Sequence, residues 1–199
     1  MKIWVKRVIA AAGITATLAA PMSSLASDGT ITFTGAVTAS TCTIKINNAG
    51  TGDGTVALPI VDTAALTNGA ARTTAAGTFF SVGLSACTAA TDIGGTPSAP
   101  TTVQIYFEAG PNVDEVTGGL INTVAGSNVE VNLYNASDAS IIGTQIKPGT
   151  NTNQPIAQTL GSLIGTQWFY AGYSTAAAGG HAATAGAVST SITYSLIYN

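Results

Sequence analysis

The C-terminal segment 188–198 alternates between two kinds of side chain. One face carries large or apolar residues: Val188, Thr190, Ile192, Tyr194, Leu196 and Tyr198. The other face carries Ser189, Ser191, Thr193 and Ser195, with Ile197 as its one apolar member. A period of two residues predicts a half-buried β-strand. Because an uncovered apolar strand promotes association, another element must cover this face.

A second alternation lies near the N-terminus of the chain. Ile31, Phe33, Gly35 and Val37 occupy one face of the segment 31–37, and threonine and alanine occupy the other. Glycine weakens an isolated strand but fits where another backbone approaches closely. Both ends of the chain are therefore predicted to pair into sheets.

Between these ends, short strand-like runs are separated by Gly, Asn, Asp and Pro. The predicted strands are 41–46, 55–58, 79–84, 103–107, 120–123, 129–134 and 168–173, and segment 61–66 allows one helical turn at most. The intervening loops 47–54, 88–100, 148–155 and 176–186 are short enough to belong to one domain. This pattern predicts an all-β sandwich or barrel.

The first 26 residues have the pattern of an export signal. Lys2, Lys6 and Arg7 precede an apolar stretch over 8–20, and small residues at Ser24 and Ala26 suit a signal peptidase. The apolar stretch is shorter than the about 20 residues that span a bilayer. We therefore expect a signal peptide over 1–26, a mature chain from Ser27 and no direct membrane insertion.

Two sequence-wide properties restrict the possible functions. Only 8% of the 199 residues are charged, against roughly 25% in an average soluble domain, which argues against a nucleic-acid partner. Cys42 and Cys87 are the only cysteines, and an even pair in an exported chain predicts one disulfide.

The residues that could support catalysis or metal binding are few. His181 is the single histidine and lies in a Gly/Ala-rich loop, so a usual zinc site is not expected. Glu108, Asp114 and Glu115 could supply a carboxylate pair for glycoside hydrolysis, and Asp114 and Glu115 could bind calcium from a loop, but no other feature supports either role. The aromatic residues of segment 168–173 fit core packing better than sugar stacking. We expect no enzyme activity, no cofactor and no metal.

Several segments together resemble the pilins of chaperone–usher fimbriae of the type 1 kind. They are Gly29-Thr-Ile-Thr-Phe-Thr-Gly-Ala-Val37, Cys42-Thr-Ile44, Val56-Ala-Leu-Pro59, Val82-Gly-Leu-Ser-Ala-Cys87, Tyr106-Phe-Glu-Ala-Gly-Pro111, Gly118-Gly-Leu-Ile-Asn122 and the terminal Tyr198-Asn199. Each segment alone is weakly specific, but their order and spacing cover the mature chain.

The resemblance implies an immunoglobulin-like β-sandwich that lacks its final strand, which another chain supplies. It divides the chain into a signal peptide (1–26), an N-terminal donor-strand extension (27–40) and a pilin domain (41–199). Ile31, Phe33, Gly35 and Val37 would form the donor face. The residues implied for the acceptor groove and the chaperone contact are Ile192, Tyr194, Leu196, Tyr198 and Asn199.

The implied function is structural. Identical subunits would polymerise by donor-strand exchange into a fimbrial shaft used in cell adhesion, after export through the periplasm with a chaperone and assembly at an outer-membrane usher. The alternative is a secreted monomeric β-sandwich that binds glycans and keeps residues 27–37 within its own domain.

Overall fold

A computed structural model describes residues 41–66, 76–88, 100–160, 165–175 and 182–199, all within the unit Ala36–Asn199. These ranges contain a 3₁₀ helix, Thr63–Leu66, at the predicted helical turn. Their strands are β1 (Thr41–Ile46), β2 (Gly77–Thr88), β3 (Thr102–Phe107), β4 (Glu130–Ala136), β5 (Ile142–Gln145), β6 (Gln158–Thr159), β7 (Thr166–Ser174) and β8 (Tyr194–Tyr198). Within the same ranges, no helix has the length and hydrophobicity needed to cross a membrane.

The strands form two antiparallel sheets. The larger sheet has the order β1-β2-β7-β4-β5 and the smaller one β6-β3-β8. An immunoglobulin constant-type sandwich has the strands A-B-E-D in one sheet and C-F-G in the other. In chain order, β1, β2, β3, β4, β7 and β8 correspond to A to F, while β5 and β6 are additions. No described strand occupies the position of G beside β8. The predicted all-β, immunoglobulin-like sandwich with an incomplete sheet is therefore confirmed.

The core lies between the inward faces of the two sheets. Alternate residues of the strands supply it: Phe80, Val82 and Leu84 from β2, Val103, Ile105 and Phe107 from β3, Val131 and Leu133 from β4, and Phe169 and Ala171 from β7. Phe107 packs edge-on against Phe169 with ring centroids 5.4 Å apart. Each buried side chain of this size contributes roughly 1.5–3 kcal/mol.

The predicted disulfide is confirmed, and it joins β1 to β2. Cys42 and Cys87 are bonded across the antiparallel pair. The register shifts between Thr41 and Thr43, so that Ala86 and Cys87 both face Cys42, which is the arrangement of a β-bulge. Ala86 has a φ of 50°, the left-handed conformation that bulges favour. The disulfide thus fixes an edge strand at an irregular point of its ladder.

Three predicted strands differ from the structure. In the C-terminal segment only Tyr194–Tyr198 pairs regularly with β3, because β3 ends at Phe107. Residues 55–58 belong to no ladder and are held instead by side chains, since Thr78 Oγ1 donates to the Ala57 carbonyl at 2.7 Å. Residues 120–123 make only isolated bridges, at Leu120. In return, the structure adds the short strands β5 and β6, which the sequence did not predict.

Candidate strand-acceptor cleft

An open cleft lies on the side of β8 that faces away from β3. Segment 52–58 forms one wall, segment 188–192 with Tyr194 forms the other, and the enclosed volume is about 660 Å³. The floor is the hydrophobic core itself: Ile46, Phe80, Val82, Phe107, Leu120, Val131, Leu133, Ala171 and Tyr173. The cleft therefore reaches down to core side chains, although little of their own area is exposed.

The C-terminal wall of the cleft uses one of its two edges for hydrogen bonds. The Glu108 N–H donates to the Thr193 carbonyl at 2.9 Å, and the Thr123 N–H donates to the Ser189 carbonyl at 2.8 Å. Asn112 Nδ2 donates to Ser191 Oγ at 3.0 Å. These contacts all fall on odd-numbered residues, which lie on the side of β3.

The even-numbered residues turn their backbone groups toward the cleft. Their side chains are half-buried from Val188 to Tyr198, and the odd-numbered side chains between them are exposed. The segment is thus an alternating strand face, as predicted, even where no regular ladder forms. Because successive residues of a strand direct their N–H and C=O groups to opposite edges, the backbone groups of 188, 190 and 192 face the cleft. Among the described residues, no backbone hydrogen bond is made along this edge.

Two tyrosines close the cleft toward the C-terminal end of β8. The Tyr194 hydroxyl donates to the Gly52 carbonyl at 2.6 Å and so connects the two walls. Burial raises the pKa of Tyr194, and the negative charge of Asp53 raises it further, so the hydroxyl stays protonated and can donate. Burial also raises the pKa of Tyr198, and the nearby backbone of Cys42 partly offsets this effect.

The other wall, segment 52–58, is held in place by side chains of β2 and β7. Val56 and Leu58 pack against the core. The Tyr173 hydroxyl donates to the Pro59 carbonyl at 3.0 Å, in addition to the Thr78 bond described above. This wall is therefore held by side-chain donors, and the cleft stays open between it and β8.

The structure brings some of the predicted site residues together. Ile192 and Tyr194 line the cleft, whereas Leu196 and Tyr198 pack against the core beyond the closed end. Asn199 pairs with the start of β3, since the Thr102 N–H donates to its carbonyl at 2.8 Å. The predicted donor residues Ile31, Phe33, Gly35 and Val37 lie outside the described residues, as do His181 and segments 1–26 and 27–40.

The floor of the cleft was not predicted as part of the site. Phe80, Phe107, Val131 and Leu133 come from three strands of both sheets. Each strand shows its own alternation in the sequence, which predicts a core face but not the point where the two sheets leave that core uncovered.

Asp114, one of the carboxylates considered for catalysis, has a structural role. Asp114 Oδ1 accepts the backbone N–H groups of Val116 and Thr117 at 2.7 and 3.0 Å. These two hydrogen bonds hold the pKa of Asp114 below its usual value. Glu115 is exposed. Within the ranges that the structure describes, no three His, Cys, Asp or Glu residues cluster as a metal site.

One buried acid lies on the outer face of the large sheet, behind the cleft floor. Glu130 is only 6% exposed, and its Oε2 accepts a long hydrogen bond of 3.4 Å from Thr117 Oγ1. Burial raises the pKa of Glu130, and the nearby negative charge of Asp114 raises it further. Gly119 lies against this group, since a Cβ there would overlap Glu130 Oε2 and come within 2.8 Å of Asn132 Oδ1.

We predict that Glu130→Gln stabilises the domain at neutral pH. A raised folded-state pKa means that the charged form is disfavoured, so stability falls as the pH rises from about 4.5 through the folded-state pKa. Glutamine keeps the shape without the charge. Thermal unfolding should show a melting temperature higher by roughly 2–4 °C at pH 7 and no gain at pH 4. Thr117→Val in the same assay controls for the Thr117 hydrogen bond, and an equal gain at both pH values would contradict the electrostatic account.

Comparison with known proteins agrees with this architecture. Residues 58–199 match the family described as "FimA: Type-1 fimbrial protein, A". The "Major fimbrial subunit SMF-1" of Stenotrophomonas maltophilia (strain K279a) is 35% identical over 191 residues, which cover 91% of this chain and 98% of the relative. The crystal structure of the P pilus rod subunit PapA is similar in fold, with a TM-score of 0.50 and 21% identity over 79% of this chain and 99% of that one. The sequence match and the incomplete sandwich together show that this chain belongs to the type-1 fimbrial protein A family.

Proposed function

We propose that this chain is the shaft subunit of a surface fimbrium and that it polymerises by donor-strand exchange. Residues 27–40 of one copy would fill the cleft of the next. The observation that supports this proposal is the unpaired backbone edge of 188–192 above an open hydrophobic core. The unpaired edge needs backbone hydrogen-bond partners, and the cleft needs apolar side chains. A β-strand supplies both, because it forms hydrogen bonds along one edge and directs alternate side chains into the cleft.

The donor segment has the chemistry and the length for this cleft. Ile31, Phe33 and Val37 lie on one face of segment 31–37, and burying each would contribute roughly 1.5–3 kcal/mol. Segments 31–37 and 188–194 are equally long, about 20 Å when extended at about 3.4 Å per residue. The donor therefore matches the open part of the acceptor, and the closure at Tyr194 marks its end.

The same cleft accounts for the proposed partners and route. An unfilled apolar cleft beside an unpaired strand edge promotes association, so a periplasmic chaperone would cover the cleft before a sibling does, with Tyr198 and Asn199 as its contact. The signal over 1–26 directs export, an outer-membrane usher assembles the subunits, and the fimbrium is extracellular. The proposed domain boundaries are 1–26, 27–40 and 41–199. This role requires no catalysis.

The oligomeric state of the purified mature chain tests the proposal. Made without a chaperone, it should aggregate or form a series of oligomers in size-exclusion chromatography with light scattering, and electron microscopy should show fibres. A stable monodisperse monomer would favour the glycan-binding alternative. The buried positions of Phe169 and Tyr170 leave these rings unavailable for sugar stacking.

A further inference from the structure

Thr190 is the one aliphatic hydroxyl on the cleft-facing side of the acceptor segment. Its neighbours on that face, Val188 and Ile192, are apolar, and all three line the cleft. The Thr190 Oγ1 atom is buried and has no hydrogen-bond partner in the part of the chain that the structure describes. A buried hydroxyl without a partner is unfavourable, whereas valine would fill the same volume without that cost.

The alternation of the two strands leaves an ambiguity that this hydroxyl can remove. A slip by one residue turns the apolar face of an inserted strand out of the cleft and is strongly disfavoured. A slip by two residues keeps the apolar face inward, so side-chain alternation alone does not exclude it. A single polar position within an apolar face distinguishes these registers, because only one of them gives the hydroxyl a partner.

We propose that Thr190 fixes the register of the inserted strand by requiring a hydrogen-bond acceptor at its own position. The inference rests on the proposed strand exchange. Among the donor-face residues, Ile31, Phe33 and Val37 would cover the Thr190 hydroxyl with hydrocarbon. Gly35 has no side chain, so the main chain of the donor strand would be accessible to that hydroxyl. In the aligned register Gly35 lies opposite Thr190, and the Thr190 hydroxyl donates to a donor-strand carbonyl. The G strand of an immunoglobulin sandwich lies antiparallel to F, which places Thr34 opposite Ser191.

Disulfide trapping in the full chain measures the register. Ser191→Cys is combined in turn with Thr32→Cys, Thr34→Cys or Ala36→Cys, all on the outward face. Residues opposite each other at such positions have Cα atoms close enough for a disulfide. Crosslinks between neighbouring copies appear as a covalent ladder on non-reducing gels. We expect the crosslink yield of the Thr34 pair to exceed that of each of the two other pairs by on the order of tenfold. This factor corresponds to the free-energy cost of leaving one buried hydroxyl without a partner.

Thr190→Val should remove the preference for the Thr34 crosslink, so that the crosslink yields of the three pairs lie within about threefold of one another. The matched control is Thr193→Val, which makes the same chemical change on the exposed face and should keep the preference. An undiminished Thr34 preference in Thr190→Val would overturn the role of Thr190 while leaving strand exchange intact. Crosslinks found only within single chains, with no ladder in the parent background, would instead refute the proposed function.

Discussion

A chain carrying Phe33→Asp is expected to form no fibres, although the subunit itself folds and remains bound to its chaperone. The substitution exchanges a side chain whose burial contributes about 1.5–3 kcal/mol for a carboxylate whose desolvation costs several kcal/mol. The cleft floor offers that charge only hydrocarbon, from residues such as Phe80 and Val131. Electron microscopy of expressing cells and the yield of the chaperone-bound subunit measure the two halves of this prediction.

The matched control is Thr34→Asp, which places the same charge one residue away on the outward face and should leave fibres in place. The Phe33→Asp chain also keeps its own cleft, so it can accept a donor strand but cannot provide one. Mixed with the parent chain, it should cap the fibre end that presents a free donor strand, so that growth stops at that end and mean fibre length falls as its fraction rises. Normal fibres from Phe33→Asp alone would contradict the donor assignment.

Replacing both Cys42 and Cys87 by serine should produce the largest loss of subunit stability. The bond closes a loop with a sequence separation of 45, worth about 4 kcal/mol in the chain-entropy model. For a domain of this size, such a loss lowers the melting temperature by roughly 8–16 °C. The loss of stability should also reduce the periplasmic yield, since β1 is an edge strand of its sheet and is paired on one side only.

Reduction provides the control for the double serine variant. A reductant should lower the melting temperature of the parent chain by a similar amount and leave that of the variant unchanged. An unchanged yield and melting temperature in the variant would show that the disulfide is dispensable for the folded subunit.

Much of the fold could be predicted from local patterns. The strand-like runs at 41–46, 79–84, 103–107 and 168–173 lie within observed strands, and the run at 129–134 begins one residue before β4. Residues of high β-propensity between turn signals are sufficient to locate such strands. The strands β5 and β6 were not predicted, because they are too short to show a pattern. Each is short, and β5 pairs with β4 across a register shift, so neither has enough residues to establish a period.

The candidate site was predictable in part. The alternation over 188–198 predicted the acceptor face, and the half-buried positions of Ile192 and Tyr194 agree with it. The ladder itself depends on a partner strand, and β3 ends at Phe107, so regular pairing begins only at Tyr194. The wall at 55–58 likewise looked like a strand, but donors from Thr78 and Tyr173 hold it in place of a ladder.

The composition of each strand face, the cysteine pair and the resemblance to pilins could all be predicted in advance, because they depend only on residue type and spacing along the chain. The tertiary structure was needed to show that segments 52–58 and 188–192 stand apart, that Phe80, Phe107 and Leu133 from different strands meet in one cleft floor, and that the Thr190 hydroxyl has no partner among the described residues. A cleft is defined by what two packed sheets leave uncovered. That depends on the positions of many distant residues together, and no local pattern contains it.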